Sequence, residues 1–263
     1  MKRILAVVFG LIALFVLLLV GTYFLFPKTV FDLALQAQRN SAGLVRKEIQ
    51  VDDHKIVYLE GGKGQKILLL HGFGANKDNW TRFAKYLTGD YHVLIPDIPG
   101  FGESSQIRKA NYDAENQMKR MDRFTEIMKL ERFHLAGNSM GGMFAAVYAA
   151  KYPRKVSTLA LLAPAGVKSP KMSEMAMLIQ KGTNPFMAGS PEDFDKLIKL
   201  CFVKPPFVPS QFKKILAADA IAHSDFNKKI SDDMKLNFTG AAPSPIETFL
   251  EPYLPQIQAP VLI

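Results

Sequence analysis

Phe133-His134-Leu135-Ala136-Gly137-Asn138-Ser139-Met140-Gly141-Gly142 is the stretch that decides how this chain folds. Phe133–Ala136 reads as a short buried strand. From Ser139 an apolar, alanine-rich run continues as a helix to Tyr152, where Pro153 ends it. Between the two lies G-x-S-x-G. Alone that pattern is weak, because glycine and serine are common. Its position between a strand and a helix makes it specific, since a serine presented on a strand-to-helix turn needs that context. Gly137 and Gly141 fit the tight turn, where a Cβ would collide with neighbouring backbone. Ser139 is thereby placed at the strand tip with its hydroxyl exposed, and the helix aims its first amides at the same spot. A glycine-rich turn with an incidental serine explains neither flank. Ser139 is the candidate nucleophile.

Working outward, other apolar runs read as strands: Lys47–Val51, Lys55–Leu59, Lys66–Leu70, Tyr91–Pro96 and Val156–Leu162. Asp52-Asp53-His54 is the expected turn between the first two. Asp113 reads as the N-cap of an amphipathic helix that reaches Leu130, with Met118, Met121, Phe124 and Met128 on one face. Short apolar strands separated by helices specify an α/β protein whose mostly parallel sheet is covered on both faces. From about Val167 to Pro245 the pattern becomes helical and rich in Met, Phe, Lys and Pro, with breaks at Asn184-Pro185, Lys204-Pro205-Pro206 and Pro243. This reads as a helical cap inserted into the sheet domain. Ala259-Pro260-Val261-Leu262-Ile263 then begins another buried strand.

His71-Gly72-Phe73-Gly74 follows the strand Lys66–Leu70. Acyl transfer through a serine needs backbone N–H donors where the oxyanion develops, and losing one costs about 3 kcal/mol. The Phe73 and Met140 amides are the expected pair. His71, at a strand end just before that turn, is expected to hold structure through hydrogen bonds rather than to act as a base. Gly72 belongs to the same motif.

The first 27 residues carry a separate message. Lys2 and Arg3 precede an apolar run from Ile4 to Phe26, closed by Pro27-Lys28. Such a run crosses a hydrocarbon core of roughly 30 Å as a helix. It exceeds the apolar region of a cleaved signal peptide, and no small-x-small cleavage site ends it. An uncleaved single-pass anchor is expected. Lys2 and Arg3 favour an N-terminus inside and a catalytic domain outside the cytoplasm, against Lys28, Arg39, Arg46 and Lys47 on the other flank. Val30–Arg39 has helical spacing and is placed near the membrane.

Composition narrows the classes. At 263 residues and 48% hydrophobic, the chain suits one catalytic domain with a small appendage. The formal net charge of +9 is spread in short pairs such as Lys213-Lys214, without an arginine stripe interleaved with aromatics. That argues against nucleic acid and for a basic surface facing anionic lipid. Cys201 is the single cysteine, which excludes an internal disulfide and a cysteine metal site. Its apolar neighbours Leu200, Phe202 and Val203 read as packing.

The N-terminal run, His71–Gly74, Asp97-x-x-Gly100-x-Gly102-x-Ser104, Gly137–Gly142 and the following Ala149-Ala150-Lys151-Tyr152-Pro153 together resemble the α/β-hydrolase superfamily. They resemble in particular its serine esterases and lipases, a group of bacterial enzymes and the membrane-anchored monoacylglycerol lipases of animals. The resemblance covers nearly the whole chain, including Ser190-Pro191-Glu192-Asp193 at the start of a cap helix. It implies the α/β-hydrolase fold with an inserted cap, and hydrolysis of lipophilic carboxylic esters such as monoacylglycerols or medium-chain esters without metal or organic cofactor. It makes Asp97 structural, bending the loop after its strand towards the site. The expected organisation is an anchor at 1–27, the first part of the core at 28–166, a cap at 167–245 and a return to the core at 246–263.

The same resemblance places the triad carboxylate after the strand that starts at Pro260, and the histidine one strand and helix later. Both are expected beyond Ile263, in a chain read as C-terminally truncated. Leu162–Gly166, the other place for the acid, has no carboxylate. His54, His92, His134 and His223 sit in a turn, in or beside core strands, and in the cap, and none is expected to be the base. Two other functions compete with this one. A C–C bond hydrolase of ring-cleavage products shares the Gly137–Gly142 pattern but belongs to soluble enzymes. A non-catalytic membrane-tethered binding protein would have no use for an intact elbow. The Met- and Phe-rich cap (Met172, Met175, Met177, Leu178, Phe186, Met187) reads as either a lipophilic lining or ordinary packing.

Overall fold

A computed structural model describes residues 1–168, 170–235 and 249–263. Among them, seven strands form one sheet in the order β1-β2-β4-β3-β5-β6-β7. β1 (Leu44–Val51) and β2 (His54–Gly61) make an antiparallel hairpin, and β2 pairs antiparallel with β4 (Tyr91–Pro96). From β4 inward the sheet is parallel through β3 (Gln65–Leu70), β5 (Phe133–Asn138), β6 (Val156–Leu162) and β7 (Val261–Leu262). Leu68–Leu70 on β3 and Val93–Ile95 on β4 are buried without a break, as strands covered on both faces require.

α1 spans Lys2–Leu25 and α2 spans Pro27–Ser41, with Pro27 supplying the preset φ of a first helical residue. α2 therefore starts three residues before the apolar spacing alone indicates. The short α3 (Thr81–Ala84) follows a 3-10 turn at Lys77–Trp80. α4 (Ala114–Ile127) is capped by Asp113, whose carboxylate accepts the Asn116 amide at 2.8 Å. α5 (Met140–Lys151) is buried along nearly its whole length, packed on β3, β5 and β6. Met118, Met121 and Phe124 of α4 join Phe144, Val147 and Tyr148 of α5 in the larger of two cores.

Between β6 and β7 the described chain is helical: α6 (Glu174–Gln180), α7 (Pro191–Cys201), α8 (Ser210–Ala222) and α9 (Ser224–Asp233). Ser173 caps α6 and Ser190 caps α7 through their hydroxyls. The breaks at Asn184-Pro185 and Lys204-Pro205-Pro206 fall between helices as read from the sequence, while Pro243 and the boundary at 245/246 lie outside the described residues. α9 is fixed to the core: the Asp233 carboxylate accepts the Tyr112 amide at 2.9 Å, and Phe226 packs edge-on to the Tyr112 ring.

One sequence expectation needs correction. His54 is not a turn residue. It opens β2, fully buried, between the Asp53 carboxylate at 2.6 Å and the Tyr112 hydroxyl at 3.2 Å. The turn is Asp52-Asp53, with Asp52 at φ 51°. β7 joins the sheet through a parallel pairing with β6, Leu159 opposite Val261 and Ala160 opposite Leu262.

Candidate active site

Ser139 joins the end of β5 to the start of α5 at φ 54°, ψ −119°. A residue with a Cβ seldom holds such a conformation, and it persists only where its surroundings over-determine it. Here they do. The Ser139 amide donates to the Leu162 carbonyl at 3.0 Å, and the Ser139 carbonyl accepts the amides of Met143 and Ala165, each at 3.0 Å. Glycine on both sides allows the close approach. A Cβ on Gly137 would lie 2.1 Å from the Gly141 carbonyl oxygen. A Cβ on Gly141 would lie 2.3 Å from the Leu70 oxygen and 2.5 Å from that of His71. The elbow is thus pressed against the end of β3, and the turn after β3 runs directly beside it. A Cβ on Gly72 would touch the Ser139 Cβ at 3.4 Å.

That turn carries Phe73. Among the described residues, neither the Phe73 nor the Met140 amide donates to a protein acceptor. Met140 is the first residue of α5, where a helix leaves its N–H groups unpaired. The Phe73 ring is buried against Phe101, at 5.3 Å between centroids, and against Phe186 of the helical segment, at 5.0 Å. Packing from both sides fixes the turn and hence the direction of its amide.

The His71 ring is hydrogen-bonded at both nitrogens. Its Nε2 accepts the Ile98 amide at 2.9 Å, which requires Nδ1 to carry the proton it donates to the Gly72 carbonyl at 2.8 Å. Burial pushes the imidazole pKa below its ordinary value, against the opposing pull of Asp97, so the ring is held neutral. His71 thereby ties the turn that carries Phe73 to the loop after β4.

Asp97 anchors that loop, as the resemblance implies. Its buried carboxylate accepts the Lys77 amide at 2.6 Å, the Lys77 ammonium at 2.8 Å and the Glu103 amide at 2.8 Å. Gly102 has φ 55°, and a Cβ there would lie 2.4 Å from the Asp97 carboxylate. Lys77 was not singled out in the sequence. Burial lowers its pKa, but the charge and hydrogen bond of Asp97 and the hydrogen bond to Glu103 outweigh that and raise it. Glu103 in turn takes Lys77 at 2.6 Å and Arg46 at 2.7 Å. Burial raises the Glu103 pKa, but these two cations bring it down to about 2.

The histidines have their own partners. Besides His54 and His71, His92 bonds to Glu60 at 2.7 Å, His134 to Thr158 and Gln65 at 2.7 and 2.8 Å, and His223 to the Asp219 carbonyl at 2.8 Å. These are all five in the chain, and none reaches the Ser139 hydroxyl. Among the described residues no group of His, Cys, Asp and Glu is arranged to hold a metal ion.

A mixed sheet and a strained serine on a strand-to-helix turn define a class, and residues 66–234 match the family model for the alpha/beta hydrolase fold. The chain belongs to that family. It is 40% identical over 207 residues to Lipase 1 of Psychrobacter immobilis, covering 76% of this chain and 64% of that lipase. It is 30% identical over 233 residues to the human monoacylglycerol lipase ABHD6, covering 84% of this chain and 69% of that enzyme. The crystal structure of a membrane phospholipase A, described as a bacterial virulence factor, superposes with a TM-score of 0.83 at 41% identity, covering 99% of this chain and 81% of that one. Hydrolases of ring-cleavage products also superpose, but at 21% and 18% identity they share the fold alone.

Proposed function

We propose that this protein hydrolyses carboxylic esters of lipophilic substrates, monoacylglycerols or medium-chain esters, with Ser139 as nucleophile. Ser139 Oγ attacks the acyl carbonyl carbon and its proton passes to a general base. The tetrahedral oxyanion is held by the Phe73 and Met140 amides. Collapse breaks the acyl–oxygen bond, the alcohol leaves with a proton, and water then releases the acid from the acyl-enzyme. The observation that carries this reading is the strained Ser139 beside two amides that have no protein acceptor. The lipase relatives support the ester class, and the two lower-identity ring-cleavage hydrolases give no support to carbon–carbon cleavage. For the base and its orienting carboxylate the described residues offer no candidate beside Ser139.

Further parts of the reading concern the membrane and the helical segment. α1 is a single-pass anchor: it is long, its mean hydropathy reaches 3.2, and none of it is buried in the protein. Lys2 and Arg3 support a cytoplasmic N-terminus and an extracytoplasmic catalytic domain. The helical segment α6–α9 acts as a cap over the site, supported by the contact between Phe186 and Phe73. Met172 and Met177 are exposed, whereas Phe186 and Met187 pack on the core, so the cap's apolar residues divide between exposed and packed positions.

The test is the rate on a p-nitrophenyl ester and on a monoacylglycerol, with cell-made protein and its Ser139→Ala form. The variant is expected to fold normally and lose roughly 10⁴-fold or more of the rate on both. A variant as fast as the parent would reject the assignment. Cleavage of a ring-fission substrate with no ester turnover would favour the carbon–carbon reading.

A further inference from the structure

The end of α1 is held by the helical segment rather than left free. The Tyr23 hydroxyl accepts the Gln211 amide at 2.9 Å and lies 3.3 Å from the Ser210 hydroxyl, both in the first turn of α8. Phe212 packs against Tyr23 at 6.0 Å and against Phe31 of α2 at 5.3 Å. Tyr23 lies two residues before the last residue of a helix about 36 Å long, which exceeds a hydrocarbon core of roughly 30 Å. It therefore sits at the depth where aromatic side chains with a polar tip collect. The start of α8 is held at that depth with it.

The segment leading into α8 has a surface that suits this position. Phe207, four residues before Gln211, is 89% exposed, and Val203 is fully exposed. Phe202 is exposed as well. Pro205, Pro206 and Pro209 stiffen the segment, so holding these side chains outward costs little additional entropy. Lys199 and Lys204 flank the apolar residues, exposed and without an ion pair among the described residues. Apolar side chains projecting beside cations, at the level of a membrane interface, match a headgroup boundary better than bulk water.

We propose that residues 202–209, led by Val203 and Phe207, dip into the same lipid leaflet that α1 enters and seat the cap on the membrane. This rests on the reading of α1 as an anchor. It goes further by giving the cap a second membrane contact. Lipophilic esters could then leave the leaflet at the cap without crossing open water.

The test uses the whole chain reconstituted into vesicles of phosphatidylcholine and phosphatidylglycerol, with ordinary or brominated acyl chains. Trp80, the single tryptophan, is buried and gives a constant background. In Phe207→Trp, and separately in Val203→Trp, the added emission should fall by about half with brominated chains, since interfacial side chains reach roughly 5–10 Å into the headgroup and acyl boundary. Parent and variants are first floated on a gradient. Protein that floats with its added tryptophans quenched no more than Trp80 overturns the cap contact and leaves the anchor standing. Protein that does not float overturns both.

Discussion

The His71 ring bridges two loops: Nε2 accepts the Ile98 amide at 2.9 Å while the Nδ1 proton goes to the Gly72 carbonyl. Both contacts are buried, and they hold the Phe73 turn against the loop that follows β4. His71→Ala should therefore cost about 3 kcal/mol, from two buried backbone groups left unpaired and a cavity. Denaturant unfolding of the reconstituted chain measures it.

The same ring has a pH signature. Its pKa is lowered in the folded state by burial, so below the ordinary value of 6.5 the unfolded chain binds a proton that the folded chain does not. Stability is then full above that pH and declines as pH falls below it. His71→Gln, compared with the parent across this range, should remove that part of the slope. An unchanged slope would assign the titration elsewhere.

Glu103 acts in a lower window. Its folded pKa, about 2, lies below the ordinary 4.5, so its contribution is present above 4.5 and is lost as pH falls towards 2. The stability gap between parent and Glu103→Gln should be widest near neutrality and close across that interval. Because the side chain is 43% exposed, the gap should also shrink at high salt.

Arg39 near the end of α2 grips Asp78 with two hydrogen bonds of 2.6 Å, at 10% and 12% side-chain exposure. Breaking a buried pair from one side costs about 3–5 kcal/mol. Arg39→Ala should fall near the lower end and should loosen α2, which hydrogen exchange of residues 27–41 would report. Equal protection in both proteins would mean that packing alone holds the helix.

Much of this architecture was legible because it is local. Tyr91–Pro96 and Val156–Leu162 are strands with the bounds their apolar runs indicate, and Asp113 caps the helix it precedes. The elbow was legible because strand, glycine pair and helix follow one another without interruption. Contacts across the fold were not. Lys77 and Asp97 are 20 residues apart, Arg39 and Asp78 are 39 apart, and nothing in either local pattern names its partner. Arg39, read as a charge flanking the anchor, is instead neutralised inside the fold. His54 was misplaced because a polar residue beside two aspartates reads as a turn, whereas Tyr112, 58 residues away, gives it a buried partner.

Gly141→Ala tests the elbow from the side of sterics. The new Cβ would overlap the Leu70 and His71 carbonyl oxygens at 2.3 and 2.5 Å, and backbone cannot swing aside as a flexible side chain can. A loss of at least about 3 kcal/mol is expected, together with a fall in ester turnover greater than instability explains.

The central claim is that Ser139 is the nucleophile, and covalent capture tests it most directly. Cell-made protein in its own membranes would be treated with a fluorophosphonate, digested, and read by mass spectrometry. The account predicts one phosphonyl adduct, on the peptide containing Ser139, absent from Ser139→Ala and suppressed by prior incubation with a monoacylglycerol. An active protein that hydrolyses esters yet carries the adduct on another residue, or whose Ser139→Ala form labels as strongly as the parent, would contradict it.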